Sequence, residues 1–270
     1  MLGVVKIGGA AGNKLDTLVK ELAKRTTSGE RWVLVHGASG IMDKLCAERG
    51  IEVKMITSPS GYRSRYVGDK EREVFREAAL SYGAGIKQAL QSSGAKAEQI
   101  DPEVIRSVSA KRKDVIRESV NGRIRILRGN YSGTVSRIDG TKITAALDSG
   151  VIPIMPPLGL DDESGLSLNI DGDRLAAAVA GEIKADTLVI LSNIPGLMTN
   201  IDDPNSLIRT ASSVNGWDVL EHYAKGNMKR KLTACHEALE LKVPNIYLAD
   251  GRVDTPIANA IGGNATCLTR

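Results

Sequence analysis

The sequence predicts an α/β fold in which helices cover a central, mostly parallel β-sheet. Apolar, β-rich runs at residues 4–7 and 32–36 each end in a glycine-bearing turn, and residues 15–25 between them repeat apolar side chains at helical spacing. Further apolar runs typical of buried strands lie at residues 151–155, 188–191 and 246–248, beside helical segments at 174–183 and 229–241. This alternation of strand and helix favours parallel strands that are buried on both faces.

Composition is that of a soluble globular protein. The chain has 270 residues, a net charge of +4 and 42% hydrophobic residues, so it can bury a large core and is too apolar for disorder. It shows no internal repeat or linker, and we expect one domain over residues 1–270 with two lobes, about 1–165 and 166–270.

Since no apolar run approaches about 18 residues and the start lacks a signal-peptide pattern, we expect a cytoplasmic protein that does not bind membranes.

The three cysteines lack the C-x-x-C spacing of a zinc site and the pattern of a disulfide framework. Few, scattered thiols are typical of a reducing compartment, and we expect no metal site built from the protein's own residues. Cys46, Cys235 and Cys267 are expected to be small apolar residues of the core.

Two segments depart from the strand and helix alternation. Residues 69–91 predict a long helix, and alternating Arg and Ile at 123–127 predict an exposed antiparallel strand. Because Asn121-Gly122 is a type I′ turn signal, residues 115–120 and 123–128 are expected to pair as a hairpin. The hairpin lies within a basic strip, defined as residues 106–137, whose nine basic and two acidic side chains give +7 and leave −3 elsewhere. A solvated face and a docking surface for an anionic partner both explain such a strip.

Glycines follow the first two predicted strands. Gly8 and Gly9 can turn N–H groups toward a phosphate, and Lys6 adds a positive charge, although neither the P-loop nor the dinucleotide spacing is present. The second turn consists of Gly37, Ala38, Ser39 and Gly40. Turns on neighbouring parallel strands lie at one edge of a sheet, where α/β proteins bind ligands. For His36, holding the loop by a hydrogen bond is favoured over general-base catalysis.

Polar residues surround the start of the helix predicted at 174–183. Asn169 offers an amide, and Asp171 and Asp173 offer carboxylates within the same short turn. Asp173 falls at or near the helix N-cap, where capping contributes about 1 kcal/mol. Capping and catalysis are compatible roles for this carboxylate.

Three consecutive cations, Lys229, Arg230 and Lys231, begin the helix predicted at 229–241. Cations oppose the helix macrodipole at this end, which favours anions. A bound polyanion such as a nucleotide phosphate would compensate, although a solvated cluster also explains Lys229 and Arg230.

The ordered segments resemble the motifs of the amino-acid kinase family, in particular its N-acetylglutamate-kinase-like branch. The motifs are K-x-G-G at 6–9, H-G-x-x-G at 36–40, N-x-x-x-D at 169–173, L-S-N-I-P-G-L at 191–197 with D-D-P at 202–204, and G-x-M-x-x-K at 226–231. The resemblance implies a three-layer αβα sandwich. It also implies transfer of the γ-phosphoryl group of ATP, with Mg²⁺, to a side-chain carboxylate.

The resemblance also implies roles for individual residues. Lys6 and Lys231 neutralise charge on the transferred group, assisted by the N–H groups of Gly8, Gly9, Gly37 and Gly40, and Asp173 orients the two lysines. The implied substrate-binding residues are Gly37, Ala38, Ser39, Arg65 and Asn169. The implied nucleotide-binding residues are Gly8, Gly9, Gly40, Ser192, Asn193, Gly196, Leu197 and Met228.

Residues 60–66, Ser-Gly-Tyr-Arg-Ser-Arg-Tyr, differ from the N-G-x-R-V-T pattern of kinases that act on free N-acetylglutamate. They resemble the branch whose substrate, 2-aminoadipate or glutamate, is attached to a small acidic carrier of the LysW type in lysine and arginine biosynthesis. A homodimer is also implied, with the 69–91 helix as the candidate interface. The implied carrier-docking residues are Tyr62, Arg63, Tyr66, Lys111, Arg112, Lys113, Arg117, Arg123, Arg125 and Arg128.

Two alternatives remain at this stage. A kinase of free N-acetylglutamate would use the same lysines, and only residues 62–66 and the basic strip argue against it. A nucleic-acid-binding protein on a kinase-like fold is disfavoured because the strip has few aromatic residues and both expected lysines are retained. The choice between aminoadipate and glutamate stays open, since one CH₂ changes binding by only about 1–3 kcal/mol.

Overall fold

The centre of the molecule is a β-sheet with eight strands in the computed structural model, which describes residues 1–9, 13–203, 205–212 and 217–270. Ala10 and Pro204, which belong to the first turn and the D-D-P segment, lie outside the described residues. The strands are β1 (Leu2–Ile7), β2 (Arg31–His36), β3 (Met55–Thr57), β4 (Arg63–Arg65), β5 (Lys96–Gln99), β6 (Val108–Arg112), β7 (Ile116–Val120), β8 (Arg123–Leu127), β9 (Ser132–Ile138), β10 (Val151–Met155), β11 (Leu158–Asp161), β12 (Ser167–Ile170), β13 (Thr187–Ser192), β14 (Thr210–Ser212), β15 (Asn245–Asp250) and β16 (Thr266–Thr269). The helices are α1 (Leu15–Thr27), α2 (Ser39–Glu48), α3 (Asp69–Ser92), α4 (Pro102–Ile105), α5 (Gly140–Asp148), α6 (Gly172–Glu182), α7 (Trp217–Tyr223), α8 (Asn227–Glu240) and α9 (Pro256–Ile261).

The strand order of the central sheet is β14-β16-β15-β13-β1-β2-β10-β5. Its described pairs are parallel except β15 with β16, which confirms the predicted mostly parallel sheet. β1 lies between β13 and β2, so strands from both predicted lobes join one continuous sheet. The division into two lobes stays a prediction.

Helices cover both faces of the sheet, as the predicted sandwich requires. Alternate residues of β1 point to opposite faces: Val5 and Ile7 pack in the cluster of α1, α3 and α9, whereas Val4 packs in the cluster of α5, α6 and α8. Both clusters are made mostly of buried aliphatic side chains, which explains why the strands are almost continuous apolar runs. The predicted strands and helices named above are confirmed. Their predicted ends lie within about two residues of the observed ends, which is the usual scatter of helix boundaries.

A small four-stranded barrel, β11-β12-β9-β6, is the part of the fold that the sequence analysis did not predict. It carries β6 and β9 of the basic strip, and the predicted hairpin projects from it as β7 and β8. The hairpin is confirmed, with Ile116 opposite Leu127 and Val120 opposite Arg123. Asn121 and Gly122 have φ of 50° and 76°, the positive values that a type I′ turn requires.

The cysteines lie largely where they were expected. Cys46 and Cys235 are free and buried, whereas Cys267, on β16, is partly exposed. Among the described residues, no helix combines the length and the apolar content needed to cross a bilayer.

Close packing between β1 and β2 yields a stability prediction. A Cβ built on Gly3 would lie 2.4 Å from Cζ3 of Trp32, a fully buried ring. Because the ring has no room to move, we expect Gly3→Ala to lower the free energy of unfolding by about 1–3 kcal/mol, measured by urea denaturation. Gly85→Ala is the matched control, since Gly85 lies in α3 with open space around its Cβ position. Equal stability of the two variants would contradict the prediction.

Candidate active site

A cleft of about 2070 Å³ runs along the carboxyl ends of the central strands. The turns after β1 and β2 meet there, since the two strands are parallel and Ile7 is in register with His36. A Cβ on Gly9 would lie 2.4 Å from the carbonyl carbon of Gly37, and one on Gly37 would lie 2.6 Å from the Gly9 nitrogen. Both positions therefore require glycine because the two turn backbones are in contact. The prediction that both turns share one edge of the sheet is confirmed.

The N–H groups of the two turns are not equally available to a ligand. The Gly37 N–H donates to the Ile7 carbonyl and the Gly40 N–H to the Gly9 carbonyl, each at 3.0 Å. The expectation that these two groups assist at a phosphate was therefore wrong, because they already hold the turns together. Within the described residues, the N–H groups of Gly8 and Gly9 donate no hydrogen bond, and both glycines line the cleft.

Lys6, Asp173 and Lys231 form an ion cluster at the centre of the cleft. Lys6 Nζ lies 2.7 Å from Asp173 Oδ1, and Lys231 Nζ lies 3.1 and 3.2 Å from Oδ1 and Oδ2 of the same carboxylate. The residues come from the end of β1, the first turn of α6 and the second turn of α8, so three elements distant in sequence converge. One carboxylate shared by two ammonium groups leaves one surplus positive charge facing the cleft.

The ion cluster shifts the titration of its members. Burial alone would raise the pKa of Asp173, but the charges of Lys6 and Lys231 outweigh it and lower that pKa to about 2. Burial would lower the pKa of Lys6, but Asp173 at 2.7 Å raises it overall. Burial, followed by repulsion from Lys6, lowers the pKa of Lys231. At neutral pH Asp173 is thus a carboxylate that keeps two cations close together.

Asp171, and not Asp173, caps α6. The Asp171 Oδ1 accepts hydrogen bonds from the N–H groups of Asp173 at 2.9 Å and Arg174 at 3.1 Å. The expectation that Asp173 lies at or near the N-cap was off by two residues, since α6 begins at Gly172. The Asp173 carboxylate is consequently free of capping and points to the lysines.

The residues expected to bind substrate lie on one side of the ion cluster. Gly37, Ala38, Ser39, Arg65 and Asn169 all line the cleft. Arg65, on β4, pairs with Asp43 Oδ1 at 2.5 Å, and its second terminal nitrogen lies 2.6 Å from the Met42 sulfur. Its guanidinium is therefore held in a fixed position at the cleft wall.

His36 has the structural role that the sequence analysis favoured. Its ring is fully buried, Nδ1 donates to the Gly37 carbonyl at 3.1 Å, and the ring edge packs against Tyr82 with 5.3 Å between centroids. Burial is the main reason that its pKa falls to about 4; the Gly37 bond opposes the shift and Lys6 adds to it. A neutral imidazole thus holds the second turn.

The residues expected to bind nucleotide separate into two groups. Gly8, Gly9, Ser192 and Asn193 line the cleft, whereas Gly40, Gly196, Leu197 and Met228 do not. Gly196 packs on β16, where a Cβ would lie 2.5 Å from Thr266 Oγ1, and the Leu197 N–H donates to the same oxygen at 2.8 Å. Met228 is buried in the core beside α6. These three positions shape the loop and the helix from behind the cleft.

The basic strip separates into cleft-lining and distant residues. Lys113 and Arg117 line the cleft with Tyr62 and Arg63. The expected docking residues Arg112 and Tyr66 instead make internal contacts: Arg112 stacks on Tyr131 at 3.7 Å and pairs with Asp114, and the Tyr66 hydroxyl donates to the Arg128 carbonyl at 2.8 Å. Lys111, Arg123, Arg125 and Arg128 are exposed outside the cleft lining.

Two site residues were not singled out from the sequence. A Cβ on Gly172 would lie 3.3 Å from the His36 carbonyl, a tight contact, and 3.4 Å from Lys6 Cε, so the start of α6 packs closely against the second turn and Lys6. A glycine directly after a capping residue was the available signal. Asp43, the partner of Arg65, gave no sequence signal, because it lies 22 residues away on a different element.

Comparisons with known proteins assign the chain to a family. Residues 1–250 match the model of the amino acid kinase family, and the chain belongs to this family. It is 34% identical to [LysW]-aminoadipate kinase of Deinococcus radiodurans over 98% of this chain and 91% of the relative. It is 30% identical to [LysW]-aminoadipate/[LysW]-glutamate kinase of Sulfurisphaera tokodaii over 96% of each chain. The N-acetylglutamate synthase structure of Neisseria gonorrhoeae matches with a TM-score of 0.80 at 23% identity, over 100% of this chain and 59% of that one, and shares the fold.

The low pKa of Asp173 predicts a pH dependence of stability. Its pKa is lower in the folded chain than the ordinary 3.8, so its contribution, about 2 kcal/mol, is complete above pH 4 and is lost as the pH falls toward 2. We expect Asp173→Asn to lower the free energy of unfolding at pH 7 by about 3–5 kcal/mol, because two ammonium groups then lose their counter-charge. Urea denaturation from pH 7 to pH 2 measures both effects. The exposed Asp218 supplies the control, and an Asp218→Asn variant that lost as much stability would refute the assignment.

Proposed function

We propose that the chain is an ATP-dependent kinase whose acceptor is the side-chain carboxylate of 2-aminoadipate or glutamate attached to an acidic carrier protein of the LysW type. The product is an acyl phosphate. The observation that carries the proposal is the cluster of Lys6, Asp173 and Lys231 in the cleft of an amino acid kinase family member. The names of the relatives, which specify LysW-linked aminoadipate and glutamate, supply the acceptor.

The ion cluster suits transfer of a phosphoryl group to a carboxylate. The acceptor is already ionised near neutral pH, so an acceptor oxygen can attack the γ-phosphorus without a general base while the bond to the β-phosphate oxygen breaks and ADP leaves. The obstacle is repulsion between two anions. Lys6 and Lys231 would lower it by placing positive charge beside the transferred group, and Asp173 would hold them there before ATP binds.

Nucleotide binding is proposed for the cleft residues beside β1 and β13. Gly8 and Gly9, whose N–H groups donate no hydrogen bond among the described residues, would supply phosphate donors, and Ser192 and Asn193 line the same cleft. The Asp173 carboxylate is occupied by two ammonium groups, so an accompanying Mg²⁺ would draw its ligands from phosphate oxygens and water. Such an ion would neutralise further phosphate charge.

Acceptor and carrier binding are proposed for the opposite wall. Arg65 would bind the acceptor's carboxylate beside its α-carbon, and Asn169 would bind the α-substituent through which the amino acid is attached. Lys113 and Arg117, with Tyr62 and Arg63, line the same cleft. Their positive charge would attract an acidic carrier on its way to the site.

Alanine at either lysine tests the proposed chemistry. We expect Lys6→Ala and Lys231→Ala to lower kcat by about a hundredfold or more, because each removes charge that stabilises the transferred phosphoryl group. A hydroxamate assay for acyl phosphate measures the rate with the LysW-linked amino acid and with free N-acetylglutamate. Product from free N-acetylglutamate alone would identify the alternative acceptor. Circular dichroism confirms that the variants fold, and activity retained in both would show that the catalytic centre lies elsewhere.

The cleft-lining part of the basic strip yields a second test. We expect the double variant Lys113→Ala/Arg117→Ala to raise KM for the carrier-linked substrate by about 2- to 30-fold and to flatten its dependence on salt. The control, Lys20→Ala/Lys24→Ala, removes the same charge from the exposed side of α1. If both double variants change KM equally, the net charge of the protein attracts the carrier, and this surface has no specific role.

A further inference from the structure

The three cations at the start of α8 have different partners. Lys231 binds Asp173 in the ion cluster, but Lys229 and Arg230 point to the hairpin formed by β3 and β4 on the other side of the cleft. Lys229 Nζ lies 5.3 Å from the centre of the Tyr62 ring, a cation–π contact. The Arg230 guanidinium donates a hydrogen bond to the backbone carbonyl of Arg63. We call these two contacts the clasp.

The hairpin is closed by its own hydrogen bonds but is short. The Ser58 N–H donates to the Tyr62 carbonyl at 2.8 Å and the Gly61 N–H to the Ser58 carbonyl at 2.9 Å. Its strands are three residues long, and a two-stranded hairpin of this size is only marginally stable by itself. Contacts outside the hairpin therefore contribute to its position.

The hairpin is attached at both ends, but to different parts of the molecule. At its base, Arg65 pairs with Asp43 of α2 and the Tyr66 hydroxyl donates to the Arg128 carbonyl at 2.8 Å. At its tip, Tyr62 and Arg63 contact α8 through the clasp. Since Tyr62, Arg63, Arg65 and Arg230 all line the cleft, the closed hairpin forms part of the cleft wall.

We propose that Lys229 and Arg230 are positioning residues that hold the β3–β4 hairpin closed over the acceptor and so fix Arg65 relative to Lys231. Their side chains act across the cleft, whereas Lys231, the next residue, acts inside it. The clasp thus links the acceptor wall to the helix that carries one of the two lysines. This role rests on the proposed function only in assigning the acceptor to that wall; the cross-cleft contacts themselves do not depend on it.

The clasp also accounts for cations at a helix end that disfavours them. Lysine and arginine at the start of α8 oppose the macrodipole, so cations that contact only water would gain no electrostatic stabilisation from the helix. The ring of Tyr62 and the carbonyl of Arg63 supply negative potential from outside the helix, and Asp173 supplies it for Lys231. Each of the three cations therefore has a partner outside α8.

Removing both clasp charges tests the proposal. We expect Lys229→Met/Arg230→Met to raise KM for the acceptor by about tenfold or more, because the closed hairpin becomes a minor population, while KM for ATP stays unchanged. In hydrogen–deuterium exchange, residues 55–65 should exchange faster in this variant and the central sheet should not. The conservative variant Lys229→Arg/Arg230→Lys keeps both cations and should restore most of the acceptor affinity.

A neighbouring cation provides the matched control. Lys225 is exposed before the same helix, and Lys225→Met removes one charge of the same kind outside the clasp. The proposal is overturned if the clasp variant has the exchange rates and the acceptor KM of Lys225→Met, or if ATP and acceptor KM rise together. If the wild-type chain phosphorylates no carrier-linked amino acid, the proposed function fails, and the exchange rates of residues 55–65 still decide whether the clasp holds the hairpin.

Discussion

The shared carboxylate of Asp173 is the interaction on which the arrangement of the site depends. Two ammonium groups near one another in a poorly solvated cleft repel, and neither Lys6 nor Lys231 would stay in place without the carboxylate between them. For this carboxylate to pair with both lysines, the end of β1, the first turn of α6 and the second turn of α8 must meet at one point. The central position of β1 in the sheet, and capping of α6 by Asp171 instead of Asp173, both serve that requirement.

Close backbone packing is the second constraint on the site. The turns after β1 and β2 touch through Gly9 and Gly37, and Gly172 packs closely against the His36 carbonyl. The Gly37 and Gly40 N–H groups are used to join the turns, whereas those of Gly8 and Gly9 donate no hydrogen bond among the described residues. Glycines that look equivalent in the sequence thus divide into those that build the turn and those that can meet a ligand.

The basic residues also divide into groups that lie on different surfaces. The +7 of the basic strip is a property of the sequence, but the hairpin and barrel distribute it over different surfaces. Lys113 and Arg117 reach the cleft, and Arg112 is held by Tyr131 and Asp114. At α8 the same principle applies over three consecutive residues, because Lys229, Arg230 and Lys231 point to three different partners.

The sequence by itself determined the layered α/β fold, the type I′ hairpin, the two glycine turns at one sheet edge and the set of Lys6, Asp173 and Lys231. The first three follow from local patterns, namely apolar periodicity and turn residues, whereas the set of Lys6, Asp173 and Lys231 was assigned through the resemblance to the amino-acid kinase family. Only the tertiary structure decided that Met228, Gly196 and Leu197 lie behind the cleft, that β6, β9, β11 and β12 close a barrel, and that Asp43 holds Arg65. Each of these depends on contacts between segments far apart in the chain. Local sequence patterns do not show which residues such contacts bury or which partner a side chain contacts.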